Sequence, residues 1–80
     1  MQQWEYMFVA AEYEGNLWRA RYANGYELAN WHRGPSVSAY ANMLGAEGWE
    51  LVTSMTVSAE GGTVAALLYH FKRLKVGGGL

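Results

Sequence analysis

Apolar and polar positions alternate from Gln3 to Ala10, with Trp4, Tyr6, Phe8 and Ala10 on one side and Gln3, Glu5, Met7 and Val9 on the other. A period of two predicts a β-strand. The side carrying the aromatics is the expected core face. The other side is mixed, since Met7 and Val9 are apolar. Glu14, Gly15 and Asn16 then break the pattern.

Leu17 to Trp31 reads as a hairpin. Asn24-Gly25 sits between two aromatic-rich runs, and both residues tolerate the positive φ of a tight turn. With a two-residue turn, Ala23 faces Tyr26, Tyr22 faces Glu27, Ala20 faces Ala29 and Trp18 faces Trp31. Trp18, Ala20, Tyr22, Ala29 and Trp31 then share one side, and the Ala pair leaves room for another element. Gly34-Pro35 ends the hairpin and Ser36 is a helix N-cap. Val37, Tyr40, Ala41 and Leu44 recur at helical spacing and predict one amphipathic helix of about three turns.

The stretch LGAEGWELV, Leu44 to Val52, holds two Glu, two Gly and a Trp. It reads as a helix stop joined to a strand start. Gly48 takes the left-handed conformation after the helix, and Trp49 packs back on Leu44, as in a Schellman stop. Gly45, without a side chain, would let the indole lie close to the helix backbone. Trp49–Ser58 and Thr63–Arg73 alternate again, with Glu60-Gly61-Gly62-Thr63 between them as a hairpin loop. A Gly61-Gly62 turn and a longer loop are both open, and they give opposite registers. The last strand is apolar on both sides.

These elements predict an α+β domain over residues 1–75, an antiparallel sheet of four to five strands in the order β-β-β-α-β-β with one helix packed on one face. VGGGL at 76–80 has no pattern and is expected to be a flexible tail.

Composition narrows the function. A chain of 80 residues buries only ~60–65% of its unfolded surface, and such domains commonly need a staple. The chain has no Cys and no Asp, so a disulfide, a thiolate zinc site and the metal and triad arrangements that need Asp are excluded, leaving seven Glu and two His, His32 and His70, as ligand types. A partner subunit is the remaining staple. No cofactor or metal is expected. A net charge of −1 argues against nucleic-acid and membrane-surface roles. The first ten residues carry no signal-peptide pattern, and the longest strongly apolar run, Val64–Leu68, is too short for a membrane span. The expected location is the cytoplasm.

Candidate chemistry is sparse. Arg33, the amides of the helix start, Ser36 and Ser38 could hold an anion or nucleotide, with Trp31 and His32 beside them and Arg19 or Arg21 approaching from the hairpin. The alternative is a capped helix with solvated charges. His70 interrupts an apolar strand. A general base there needs a carboxylate or nucleophile in reach, and Glu50 or Thr53 faces it depending on register. The plainer reading is a half-buried His at a sheet edge or interface. No catalytic or metal-ligating set is assigned, and an enzyme ranks last.

Trp4-Glu5-Tyr6, Leu44–Val52 and Phe71-Lys72-Arg73, taken together, resemble the small bacterial family known as domain of unknown function 4177. The resemblance spans Trp4 to Arg73, and LGAEGWEL is its most specific part. The segment Ala23–Ser36 resembles a longer branch of that family. His70 departs from the aromatic or aliphatic residue often found at its position. The resemblance implies a compact α+β domain of bacterial or phage origin, with no established activity and no catalytic residues.

One short helix covers one face of such a sheet, yet apolar side chains occur on both. The expectation is a non-catalytic binding or assembly module acting as a homo-oligomer, most simply a two-fold dimer whose sheets pack face to face or join at their edges. Met7, Val9, Trp18, Tyr22, Leu68 and His70 are the expected interface residues.

Overall fold

In the computed structural model, which describes residues 1–75, the chain runs β1 (Trp4–Glu14), β2 (Leu17–Ala23), β3 (Tyr26–Glu27), α1 (Val37–Ala46), β4 (Glu50–Ser58) and β5 (Val64–Leu74). The expected tail at 76–80 lies outside the described residues. The strands form one antiparallel sheet in the order β3-β2-β1-β5-β4. The order of elements is the predicted β-β-β-α-β-β, with the helix packed on one face of the sheet.

The polar break after β1 is itself a tight turn. Gly15 and Asn16 both have positive φ, +61° and +69°, and Glu14 pairs directly with Leu17. Two consecutive residues in that region suit the right-handed twist of a hairpin.

The core is built from Val9, Ala20, Leu44, Trp49 and Phe71, with Met7, Leu28, Tyr40, Ala41 and Tyr69 packed around it. The helix therefore lies over the Met7–Val9 side of β1. This reverses the expected core face: Trp4, Tyr6 and Phe8 are exposed on the opposite side. Alternation defines two faces but does not say which one receives the lid. The covered face carries small side chains, with Ala11 opposite Ala20, both buried. Aromatics in place of Val9 and Ala20 would crowd a core that Phe71 and Trp49 already fill. Met7 and Val9 accordingly leave the set of interface residues, since Val9 is 2% exposed beneath the helix.

The Asn24-Gly25 hairpin begins as predicted, with Ala23 opposite Tyr26 and Tyr22 opposite Glu27. It then stops. Leu28 donates to the Arg21 carbonyl, Asn30 turns left-handed at φ +57°, and Trp31–Arg33 form a single 3-10 turn. The expected Ala20–Ala29 and Trp18–Trp31 pairs do not form. Trp18 instead lies edge-on to Tyr13 across β1, at 5.5 Å. The expected shared side also fails, because Arg21 is an extra residue in β2: Ala10 pairs with Tyr22 and Ala11 with Ala20. A bulge of this kind reverses the alternation. Trp18 and Ala20 point to the helix side and Tyr22 to the other.

The helix ends as its sequence predicts. Ser36 accepts from the Ala39 N–H at its start. At its end the Trp49 N–H bonds the Leu44 carbonyl and the Gly48 N–H bonds the Gly45 carbonyl, with Gly48 at φ +92°. These are the two bonds of a Schellman stop, and Leu44 and Trp49 are both buried. Gly45 does not receive the indole: a Cβ there would meet open space.

β4 and β5 are joined by the longer of the two loops considered. The Ala59 N–H bonds the Thr63 carbonyl around a 3-10 turn at Glu60–Gly62, and Ser58 pairs with Val64. β1 and β5 pair only as far as Ala11 and Leu67. Beyond that point β4 and β5 continue as a two-stranded ribbon. No helix among the described residues is long and apolar enough to cross a membrane.

Candidate functional site

The three stretches behind the family resemblance meet at Arg73. Its Nε donates to Glu5 Oε2 at 2.6 Å, a second nitrogen donates to the Glu47 carbonyl at 2.8 Å, and the guanidinium lies over the Trp49 ring. Glu5 belongs to the first stretch, Glu47 and Trp49 to the second and Arg73 to the third. The cluster ties the helix stop to the ends of β1 and β5. Its groups satisfy one another, which is the pattern of a structural clasp.

The broad unpaired feature is the other face of the sheet. Trp4, Tyr6 and Phe8 project from β1 with 42%, 55% and 51% of their surfaces exposed. Leu68, His70 and Lys72 stand beside them on β5, and Thr53, Met55 and Val57 on β4. Tyr22, turned over by the bulge, adds to the side near β2. Lys72 Nζ sits 4.3 Å from the Trp4 ring centroid. The Phe8 and His70 rings meet edge to face at 4.9 Å. Phe8 is also held from its backbone: it donates its N–H to Asn24 Oδ1 at 2.8 Å and accepts from the Asn24 N–H at 2.7 Å. The turn residue thus extends the β1–β2 ladder by one position and fixes the end of the aromatic row nearest the hairpin.

Of the expected interface residues, Tyr22, Leu68 and His70 lie on this open face. Trp18 lies on the helix side, half-buried against Tyr13. Trp4, Tyr6 and Phe8, which alternation marks as one side of β1 and which the sequence predicts as core, lie on this face too.

His70 faces Thr53 across β4 and Phe8 across β1. No carboxylate stands opposite it in either register. Among the described residues, no group of three or more His, Cys, Asp or Glu is placed to hold a metal ion, and no buried side-chain nitrogen or oxygen lacks a hydrogen-bond partner.

The residues proposed for an anion site gather near the helix start, but the charges of Arg19 and Arg21 are committed to the protein. Arg19 donates to the carbonyls of Glu14 and Gly34, and its backbone bridges to Ser36. Arg21 bonds Glu27 at 2.8 Å and Glu12 at 2.9 Å and stacks over Trp31 and Tyr22. Donating to Glu27, and then to Glu12, raises its pKa above the usual arginine value. Ser36 Oγ accepts from Ala39 and contacts Ser38 Oγ. Trp31 is 6% exposed and tilted against His32, while His32 and Arg33 remain exposed. The arrangement anchors the 3-10 turn and the helix start to β2.

No protein-family model, no curated protein and no solved structure matches the chain.

Proposed function

We propose that this protein is a non-catalytic assembly module that acts as a homo-oligomer, pairing its open sheet face with the same face of a second copy. The observation that carries this reading is the row Trp4, Tyr6 and Phe8, each about half exposed on the side away from the only α-helix of the described residues. Burying such a row is favourable at roughly 25 cal/mol per Å² of apolar surface removed from water. The molecule measures 50 × 25 × 19 Å. A rectangle of 50 × 25 = 1250 Å² bounds its broad side, enough to contain the ~800 Å² per partner of a standard interface. A contact between like faces is isologous and closes on itself. Membership of the domain of unknown function 4177 family belongs to the same reading, supported by the meeting of its three quoted stretches at Arg73. A cytoplasmic location fits the chain's lack of Cys.

Light scattering and sedimentation at tens of micromolar test the proposal. The native chain is expected to run at twice the mass of one chain or more. Phe8→Glu should lower that mass with an unchanged circular dichroism spectrum, because the side chain already faces outward. Met43→Glu, on the exposed outer side of the helix, should change nothing. A native chain that stays monomeric overturns the reading.

A further inference from the structure

We propose a second, separate contact: the outer edge of β4 pairs antiparallel with the same edge of another copy, about a two-fold axis at Met55. β4 is a terminal strand of the sheet, so one side of its backbone has no strand neighbour. All nine of its residues are exposed. The opposite edge, β3, is only two residues long and runs straight into a turn. Short edges, lysines, prolines and inward charges are the usual guards against edge pairing. The middle of β4 has none of them: Thr53–Val57 carries no charged residue, no proline and no bulge, the irregularities lying only at its two ends.

The bulges fix the register. Irregularities at Leu51/Thr53 and at Val57/Ser58 leave Thr53–Val57 as the regular stretch. A two-fold axis at its middle residue uses all of it. Thr53 then opposes Val57, Ser54 opposes Thr56, and Met55 opposes Met55 of the other copy. Directly opposed residues share a face in an antiparallel pair. Thr53, Met55 and Val57 are on the open face in both copies, and Ser54 and Thr56 are on the helix side in both, so every pair matches in face. No like charges are opposed within the stretch.

The ribbon supplies the need for a second copy. Past Ala11 and Leu67 the tip of β4–β5 has no third strand, and Val57 and Val64 stay exposed. Two strands on their own are marginal in water, and three or more are stable. Edge pairing makes the tip four-stranded and runs the two sheets into one, with both aromatic faces on the same side. The contact does not depend on face pairing. If both operate and their two-fold axes intersect at right angles, the two isologous contacts build a closed four-chain assembly.

The chain contains no Cys, which makes cross-linking clean. Ser54→Cys and Thr56→Cys are prepared separately in the full chain, then mixed under mild oxidation. A disulfide-linked dimer is expected in the mixture and in neither variant by itself, because each residue lies two positions from its own copy, beyond the ~7 Å Cα limit of a disulfide. Both side chains are on the helix side, so pairing of open faces cannot bring them together. The cross-link should persist when both variants also carry Phe8→Glu, which separates this contact from the face contact. Thr56→Lys, which adds a guard to the edge, should lower the native mass while leaving the circular dichroism spectrum unchanged. No cross-link in the mixture, or equal cross-linking within each single variant, overturns the proposal.

Discussion

The guanidinium of Arg73 lies 4.2 Å above the centroid of the Trp49 ring. From there it also reaches Glu5 and the Glu47 carbonyl. One side chain therefore joins the end of the helix, the start of β1 and the end of β5. The stacking is worth about 0.5–1 kcal/mol, and the bond to the carbonyl a similar amount. The ion pair is about one-third exposed on both sides and adds ~1 kcal/mol at most. Arg73→Ala should destabilise the chain by roughly 1–3 kcal/mol in urea unfolding. Glu5→Gln should cost less than half as much. Arg73→Lys should recover only part of the loss, since an ammonium cannot make the same forked contacts.

The two glycines of the helix stop should respond in opposite directions. Gly45 is helical, and a Cβ there meets nothing. Gly45→Ala should stabilise by about 0.5–1 kcal/mol through lower backbone entropy in the unfolded chain. Gly48 holds φ at +92°. Gly48→Ala should destabilise by about 1–2 kcal/mol, because an L side chain is strained there. Thermal melts resolve both, at about 4–8 °C per kcal/mol for a domain of this size.

Tyr40 gives a pH signature. Burial, and then the nearby negative charge of Glu47, raises its pKa above the usual tyrosine value of 10.0. The folded state holds the phenol proton after the unfolded state has released it. Stability from this group is complete below pH 10.0 and falls as pH rises from there through the folded value. Tyr40→Phe should remove that part of the decline. The gap in unfolding free energy between the two proteins, measured in urea from pH 8 to about 11, should move in favour of Tyr40→Phe at the alkaline end. A gap that stays constant with pH would count against this assignment.

The sequence made the order of elements legible, together with the first two pairs of the Asn24 hairpin and both caps of the helix. These are local features, set by residues a few positions apart. Leu44 and Trp49 could be paired because the stop motif places them five residues apart on one turn of chain. Aromatic bulk suggests burial for one side of β1, yet Trp4, Tyr6 and Phe8 are exposed. The side on which the helix packs decides the matter, and there Val9 and Ala20 share a core with Leu44. The Gly15-Asn16 turn had a sequence signal, a Gly-Asn pair between two alternating runs. The Arg21 bulge had none, because its cause is pairing between strands. The reversal of the β1 faces puts Met7 and Val9 under the helix and Trp4, Tyr6 and Phe8 on the open face, which Leu68 and His70 share because β5 pairs regularly with β1 from Leu67 to Leu74.

The extra residue at Arg21 acts as a rotary joint within a single strand. On one side of it, Trp18 and Ala20 answer to the interior of their own subunit. On the other, Tyr22 and the Asn24 turn answer to the outward aromatic row. Changes before and after the joint are thereby uncoupled, so the outer surface can be retuned through Tyr22 without disturbing how the helix beds down. Removing that one residue would turn the hairpin tip over and draw Asn24 away from Phe8.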